Sequence, residues 1–126
     1  MLFRSKRVHL REVAGEDFVM YERTWAPGFH DLMFGILRDA GIVPHVTQTA
    51  GEVPTLISLV HSRMGITIMP ASAVKHSVAS VVACEILDRI PMCEIGVAVN
   101  KRFRTAVVDN FRSFALKTLG HSVHAL

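Results

Sequence analysis

The chain has 126 residues, of which half are apolar and 20% are charged, a composition typical of one globular domain with a single core. No apolar run approaches the roughly 20 residues of a membrane span, and no secretory signal is visible, so the composition argues against a membrane protein and favours a cytoplasmic one. The net charge of +3 is concentrated at the amino end, because residues 1–11 contain four basic side chains and no acid. We interpret residues 1–12 as a basic, solvated segment rather than a nucleic-acid-binding stripe, since no aromatic residues are interleaved along a basic face.

The first elements predict a strand, a turn and a helix. Residues 8–15 indicate a turn or short helix, and Asp17–Tyr21 is a nearly continuous apolar run, typical of a strand covered on both faces. A helix is predicted over 29–40, because apolar residues recur there at i, i+3, i+4, i+7, i+8 and i+11. Asp31 falls in its predicted first turn, and Gly41 suits the position after its end.

The same strand-helix order then continues. Residues 43–49 predict a second strand, with Pro44 at its start or on an edge. A second helix is predicted over about 52–64 and is closed by Gly65; Pro54 is tolerated in its first turn. Residues 66–69 predict a third strand, so this β-α-β-α-β order indicates parallel strands with right-handed crossovers.

The remaining residues depart from that order. Residues 71–78 indicate a short helix or turn, and residues 82–87 a fourth strand. Alternating residues predict a strand over 92–99. A last helix is predicted over 105–119, and residues 121–126 indicate a tail.

The chain offers no recognisable catalytic or metal constellation. Cys84 and Cys93 lack CxxC spacing and are expected to be buried thiols rather than a disulfide or a zinc site. His121 and His124 are three residues apart, but no carboxylate or cysteine accompanies them. A nucleophile elbow, a P-loop and a dinucleotide fingerprint are all missing, so we predict no enzyme, no metal and no cofactor.

The two predicted helix N-termini carry the most informative geometry. Gly28–Phe29 and Gly51–Val53 both follow parallel strands and should lie side by side at the carboxyl edge of the sheet. Free amides beside Trp25, Pro27 and neighbouring apolar residues suit a small carboxylate with an apolar body. Residue types alone leave open a second interpretation, in which Trp25 and Phe29 only pack the turn onto the core.

Three ordered blocks carry a family resemblance. They are DFVMYERTWAPGF, then TAGEVPTLISLVHSRMGITIMPAS, then IGVAVNKRFRTAVVDNFRSFAL. Together they resemble the effector-binding domain of LysR-type transcriptional regulators over residues from about 10 to 119. The resemblance implies an α/β fold like a type 2 periplasmic binding protein, in which an effector lies in the cleft between two lobes. Residues 13–91 would be the second lobe, and residues 92–120 the strand and helix that return to the first.

The resemblance also implies which residues meet the effector. The second lobe's part of the pocket would be formed by the first turn, the second helix start and the end of the third strand: Thr24, Trp25, Pro27, Gly28, Phe29, Glu52, Val53 and Pro70. The winged helix-turn-helix of the family and most of its first lobe have no counterpart in the sequence. We therefore expect a truncated regulator with no direct DNA binding by this chain.

Three hypotheses follow for function. The first is a non-enzymatic sensor lobe that binds a small effector, expected to be an organic acid. The second is an interaction module without a ligand of its own that forms a homodimer or associates with a full-length regulator. The apolar stripes of residues 92–120 are expected either to pair with a second chain or to fold back on the second lobe. The third, a small hydrolase, is disfavoured because no nucleophile–base pair is visible in the sequence.

Overall fold

The computed structural model describes residues 6–74, 80–92 and 96–119, and the chain divides into two compact units, Met1–Met92 and Cys93–Leu126. The secondary structure of the first unit is, in chain order, β1 (Arg7–Val8), β2 (Asp17–Tyr21), α1 (Pro27–Asp39), β3 (His45–Ala50), α2 (Val53–His61), α3 (Ala71–Val74) and β4 (Glu85–Ile86). A short 3₁₀ helix, Leu10–Val13, lies between β1 and β2, which confirms the predicted turn or short helix.

β2 is covered on both faces, as its continuous apolar run predicts. Phe18 and Met20 belong to one buried cluster with residues of α1, whereas Val19 and Tyr21 belong to a second cluster with Leu56 of α2. Successive side chains of a strand point to opposite faces, so α1 and α2 cover opposite faces of β2. The first unit is therefore an α/β arrangement around parallel strands.

The pairing of β2 explains the order of the strands. β2 pairs in parallel with β3, from Asp17 opposite His45 to Tyr21 opposite Ala50. On its other side, the Val19 N–H donates to the Ile66 carbonyl, and the Ile66 N–H donates to the Asp17 carbonyl, both at 2.8 Å. The third strand predicted over 66–69 is reduced to this bridge at Ile66, because residues 67–69 make no ladder hydrogen bonds in the part of the chain that the structure describes.

α1 begins two residues earlier than predicted and ends one residue earlier, at Asp39, with Ala40 as its C-cap. Pro27 is its first residue, a position that suits proline because the N–H missing from proline would have no intrahelical partner there. At the other end, Gly41 has φ +75°, and its N–H donates to the Arg38 carbonyl at 2.8 Å. The Ile42 N–H donates to the Leu37 carbonyl, also at 2.8 Å, which completes a Schellman motif.

α2 ends in the same motif without a glycine. The Arg63 N–H donates to the Val60 carbonyl at 3.0 Å, and the Met64 N–H donates to the Leu59 carbonyl at 3.1 Å. Arg63 therefore occupies the left-handed position, with φ 61°. The prediction that α2 reaches Met64 and that Gly65 closes it was wrong, since the helix ends at His61.

Arg63→Gly is expected to raise the free energy of unfolding by about 0.5 to 1 kcal/mol. The left-handed conformation costs an L residue about 1–2 kcal/mol, and glycine avoids that strain while losing somewhat more chain entropy on folding. Urea denaturation measures the difference. Arg38→Gly, in the last turn of α1, serves as the control and should lower stability instead, because glycine is unfavourable inside a helix. A loss of stability in both variants would contradict the prediction.

β1 is a strand that the sequence did not indicate. Arg7 pairs in parallel with Glu85, and Val8 pairs with Ile86, with Val8 buried. The interpretation of the segment 1–12 as wholly solvated was therefore wrong from Arg7 onward. The physical reason is that a two-residue strand has no pattern of its own and is defined by a partner far along the chain.

β4 is shorter than the strand predicted over 82–87. A carboxylate just after β4 binds the segment that follows β1. The Leu10 N–H donates to Asp88 Oδ2 at 2.8 Å, and this hydrogen bond lowers the pKa of Asp88 below its usual value. Cys84, just before β4, carries a thiol as predicted but is half-buried and not buried; Cys93 lies outside the described residues.

The described residues of the second unit, 96–119, form a short 3₁₀ helix at Lys101–Phe103 and then a long helix, α4 (Ala106–Leu119). α4 confirms the helix predicted over 105–119. The strand predicted over 92–99 was wrong for its described residues, Met92 and 96–99, because none of them pairs with a strand. Residues 93–95 and the predicted tail 121–126 lie outside the described residues, as do residues 75–78 of the short helix or turn predicted over 71–78.

Candidate functional site

Two strand-to-helix turns meet at the carboxyl edge of β2 and β3. The Glu22 N–H, just after β2, donates to the carbonyl of Ala50, the last residue of β3, at 3.0 Å. The indole of Trp25 in the first turn lies against Gly51 in the second, so closely that a Cβ atom at Gly51 would be 3.1 Å from Trp25 Cδ1. The helix starts of α1 and α2 are therefore neighbours, as the predicted parallel topology requires.

Both helices begin without a side-chain cap. Ala26 is the N-cap of α1, and Glu52 is the N-cap of α2 in an extended conformation; neither side chain accepts a hydrogen bond from its helix. The first hydrogen bond of α1 runs from the His30 N–H to the Ala26 carbonyl, and that of α2 from the Leu56 N–H to the Glu52 carbonyl. The earlier amides of each helix consequently have no intrahelical acceptor.

The prolines in the two first turns determine which backbone N–H groups remain available to a ligand. Pro27 and Pro54 lie in the first turns and have no N–H to offer. The remaining donors are the N–H groups of Gly28 and Phe29 in α1 and of Val53 and Thr55 in α2. Helix N-termini carry partial positive charge, so the two groups of amides together favour an anion at this edge.

The one ion-pair cluster next to these turns, in the described part of the chain, is internally neutralised. Arg23 donates to both carboxylate oxygens of Asp31, at 2.9 and 3.0 Å, and His30 Nδ1 lies 3.1 Å from the same carboxylate. The hydrogen bonds from Arg23 and then His30 lower the pKa of Asp31 to about 2. Asp31 is the fifth residue of α1, not in its first turn as predicted, because the helix begins at Pro27. The guanidinium of Arg23 is thus engaged by Asp31, which leaves backbone amides as the main attraction for an anion.

The two aromatic residues of the first turn have different roles. Phe29 packs edge-on against Tyr21, with ring centroids 4.6 Å apart and an interplanar angle of 89°, and it contacts both buried clusters. Trp25 has 74% of its surface exposed. The interpretation in which an aromatic residue packs the turn onto the core therefore fits Phe29, whereas Trp25 lies at the mouth of the site.

The other predicted site residues are less closely connected. Thr24 is exposed in the first turn, and Pro70 is half-buried before α3. Within the described part of the chain, neither makes a hydrogen bond or ring contact to the two helix starts. Pro70 follows Met69, which packs on the cluster around Val19 and Leu56.

One side-chain pair was missed by sequence reasoning. Ser80 Oγ lies 2.6 Å from His61 Nδ1, and both residues are exposed. A hydrolase would use such a pair only with a third group that orients the histidine through its other ring nitrogen. No carboxylate pairs with His61 among the described residues, and the serine and histidine are nineteen positions apart, without a motif to mark them. The pair of Ser80 and His61 is therefore not a catalytic constellation and does not support the hydrolase hypothesis.

The described residues form neither a metal site nor a membrane-spanning helix. Over residues 6–74, 80–92 and 96–119, no group of three or more histidine, cysteine or acidic side chains is placed to hold a metal ion. Over the same residues, every helix is too short or too polar to cross a lipid bilayer.

The sequence is similar to that of a known protein family. Residues 1–120 match the sequence model of the family described as "LysR substrate binding domain". No solved structure matches the chain.

Three relatives illustrate the similarity. The chain is 37% identical over 71 residues to the uncharacterized HTH-type transcriptional regulator YnfL of Escherichia coli strain K12, covering 56% of this chain and 24% of that protein. It is 34% identical over 88 residues to the HTH-type transcriptional regulator IlvR of Caulobacter vibrioides, covering 70% and 29%. It is 31% identical over 84 residues to the HTH-type transcriptional regulator CatR of Pseudomonas putida, covering 67% and 29%. The aligned part is thus less than a third of each relative.

Proposed function

Because the chain belongs to the LysR substrate binding domain family, we propose that it supplies one side of an effector-binding cleft, for a small carboxylate, in a transcriptional regulator. The carboxylate would lie at the two uncapped helix starts, with the apolar part of the effector against Trp25. The proposed site comprises the residues expected from the sequence: Thr24, Trp25, Pro27, Gly28, Phe29, Glu52, Val53 and Pro70.

The observation that carries this proposal is the pair of adjacent, uncapped helix N-termini. Two helices begin at the same edge of β2 and β3, and their free amides belong to residues 28, 29, 53 and 55. A hydrogen bond to a charged group contributes about 1.5–3 kcal/mol, so a carboxylate that accepts from both helices would be held against competition from water. Because members of the family sense effectors, we propose that the anion held at these helix starts is the effector.

We further propose that the two units take the roles expected from the resemblance. Residues 13–91 would form the second lobe of a type 2 periplasmic-binding-protein-like domain, and residues 92–120 would return to a first lobe. The parallel strands and flanking helices of the first unit support this proposal. Effector binding and not direct DNA contact would then be the task of this chain, in the cytoplasm where such regulators act.

Val53→Pro is expected to weaken carboxylate binding at least about tenfold, since it removes one amide from the site. Proline suits this position because Val53 is the first residue of α2 and Glu52 before it is already extended. Trp25 is the single tryptophan of the chain and lies against the second turn, so its fluorescence reports binding directly. The measurement is a titration with a panel of aromatic and aliphatic carboxylates.

Val53→Ala is the matched control for this experiment. It also truncates the valine side chain but keeps the N–H, so its affinity should stay within a few-fold of the parent. If both variants lose affinity equally, the side chain and not the amide binds the effector. If no carboxylate gives a saturable change in the parent protein, the proposed effector class is wrong.

An interaction surface on α4 supports a second candidate function. Three apolar side chains recur at i, i+4 and i+7 along the helix, and they are largely exposed: Val107 (76%), Phe111 (61%) and Phe114 (65%). Exposed apolar stripes of this kind are typical of protein–protein contacts. We propose that α4 pairs with a second copy of the chain or with a full-length regulator.

Phe111→Glu is expected to raise the dissociation constant of a homodimer at least tenfold, because aromatic residues at the centre of an interface contribute about 2 kcal/mol or more each. Light scattering across micromolar concentrations measures the mass. Arg112→Glu, an exposed neighbour off the apolar stripe, is the control for added negative charge. A parent protein that stays monomeric at all concentrations would exclude the homodimer and leave association with a full-length regulator.

A further inference from the structure

Gly51 is not among the eight residues of the proposed effector site, yet the indole of Trp25 lies directly against it. A Cβ atom added to Gly51 would be 3.1 Å from Trp25 Cδ1, 3.2 Å from its Cγ and 3.6 Å from its Cβ, and these are the three nearest atoms. We propose that Gly51 is a specificity-determining residue, because it places the indole so that an aromatic carboxylate binds better than a non-aromatic one of similar size. This inference rests on the proposed function and names the class of effector.

The backbone conformation of Gly51 does not itself require glycine. Its φ is not positive, in contrast to the φ angles of Gly41 and Gly65. An L residue can adopt such a φ, so the restriction at position 51 is one of space. Carbon atoms in favourable contact are about 3.5–4.0 Å apart, so a methyl group on residue 51 would displace the indole of Trp25.

The fold does not depend on the indole staying in place. Trp25 has 74% of its surface exposed and belongs to neither buried cluster. Its ring can therefore move into solvent with little loss of packing. Replacement of glycine by alanine at a compatible position also stabilises a folded protein, because it restricts the unfolded chain. The glycine at position 51 is thus explained by the placement of Trp25 and not by stability.

The indole offers an aromatic surface next to the start of α2. Gly51 immediately precedes the N-cap, Glu52, and the next residue is Val53, whose N–H is one of the proposed donors. None of the ring contacts in the described part of the chain involves Trp25, so its exposed surface is open to a ligand. Aromatic rings attract one another beyond the effect of buried area. A ring attached to the bound carboxylate would therefore gain affinity from the indole.

The test compares benzoate with cyclohexanecarboxylate, which carry the same charge on six-membered rings, by calorimetric titration of the full chain. The parent protein should bind benzoate about two- to tenfold more tightly, the effect of one aromatic pair. In Gly51→Ala this preference should disappear, while the melting temperature stays unchanged or rises and the emission maximum of Trp25 shifts. Trp25→Leu, which keeps an apolar side chain without a ring, should lose the same preference.

Gly35→Ala is the matched control, because it makes the same replacement inside α1, where the nearest atom to an added Cβ is Arg38 Nη2 at 4.0 Å. Its melting temperature should rise, and its preference for benzoate should persist.

Three results would overturn the inference and leave the proposed function intact. They are a parent protein that binds other carboxylates but shows no preference for benzoate, a preference that survives Gly51→Ala, and a Gly51→Ala variant that is markedly less stable than the parent. A parent protein that binds no carboxylate at all would overturn the proposed function as well.

Discussion

Gly65→Ala is expected to lower the free energy of unfolding by about 3 kcal/mol or more, through two independent effects. Gly65 has φ +154°, a conformation that L residues rarely adopt. A Cβ atom there would also lie 2.6 Å from the Asp17 carbonyl oxygen, far inside contact distance. That oxygen accepts the Ile66 N–H at 2.8 Å, so relief of the clash would separate Ile66 from β2.

Two other glycines separate the contributions. Gly41 has φ +75° but open space where a Cβ would be, so Gly41→Ala should cost only the conformational strain, about 1–2 kcal/mol. Gly28 has open space and lies in the first turn of α1, so Gly28→Ala should change stability by less than about 0.5 kcal/mol. Urea denaturation followed through Trp25 fluorescence measures all three variants in the same unit. A Gly65→Ala variant no less stable than Gly41→Ala would show that the backbone contact with Asp17 is not restrictive.

The role of Gly65 could not be predicted from the sequence. The end of an apolar helical pattern followed by glycine predicts a C-terminal cap, and here the cap is Arg63 instead. An arginine in the left-handed conformation has no sequence signature, because the tertiary structure and not the residue type imposes it. The need for glycine at position 65 arises from the approach of Asp17, which lies far away in the chain.

The elements with strong local patterns were predicted well. α1 has an amphipathic stripe with Gly41 after it, and β2 is a continuous apolar run, so local sequence indicated both. The pair β1 and β4 has two residues in each strand and is defined by long-range pairing, which no local pattern encodes. The strand predicted over 92–99 shows the opposite case, a local pattern without the structure. Its residues alternate as in a strand, but ladder hydrogen bonds also need a neighbouring strand, and the described residues of this segment have none.

The candidate site was predictable in place but not in detail. Parallel topology alone places the turns after β2 and β3 at one edge, and the contact between Trp25 and Gly51 confirms that placement. Residue types could not decide between a packing role and an exposed role for Trp25 and Phe29. That distinction depends on Tyr21, because its ring packs edge-on against the ring of Phe29 across the strand-helix turn.

Phe18→Ala is expected to lower the free energy of unfolding by about 3–5 kcal/mol, a large part of the 5–15 kcal/mol typical of a domain. Phe18 is fully buried, and its backbone is paired with both Val46 and Ile66. Phe18 also lines a pocket of about 170 Å³ between α2, β1 and β4, so truncation would enlarge an existing space. The surrounding side chains would have to close both spaces at once, which favours the upper end of the range.

Phe34→Ala provides the matched comparison, because the same atoms are removed from a partly buried position. Phe34 stacks on His30, with centroids 4.3 Å apart, at the edge of the same buried cluster. Its truncation should cost less than half as much, since less apolar surface returns to water and no closed cavity forms. Equal losses of unfolding free energy in the two variants would contradict this prediction and would show that neighbouring side chains fill the space left by Phe18→Ala.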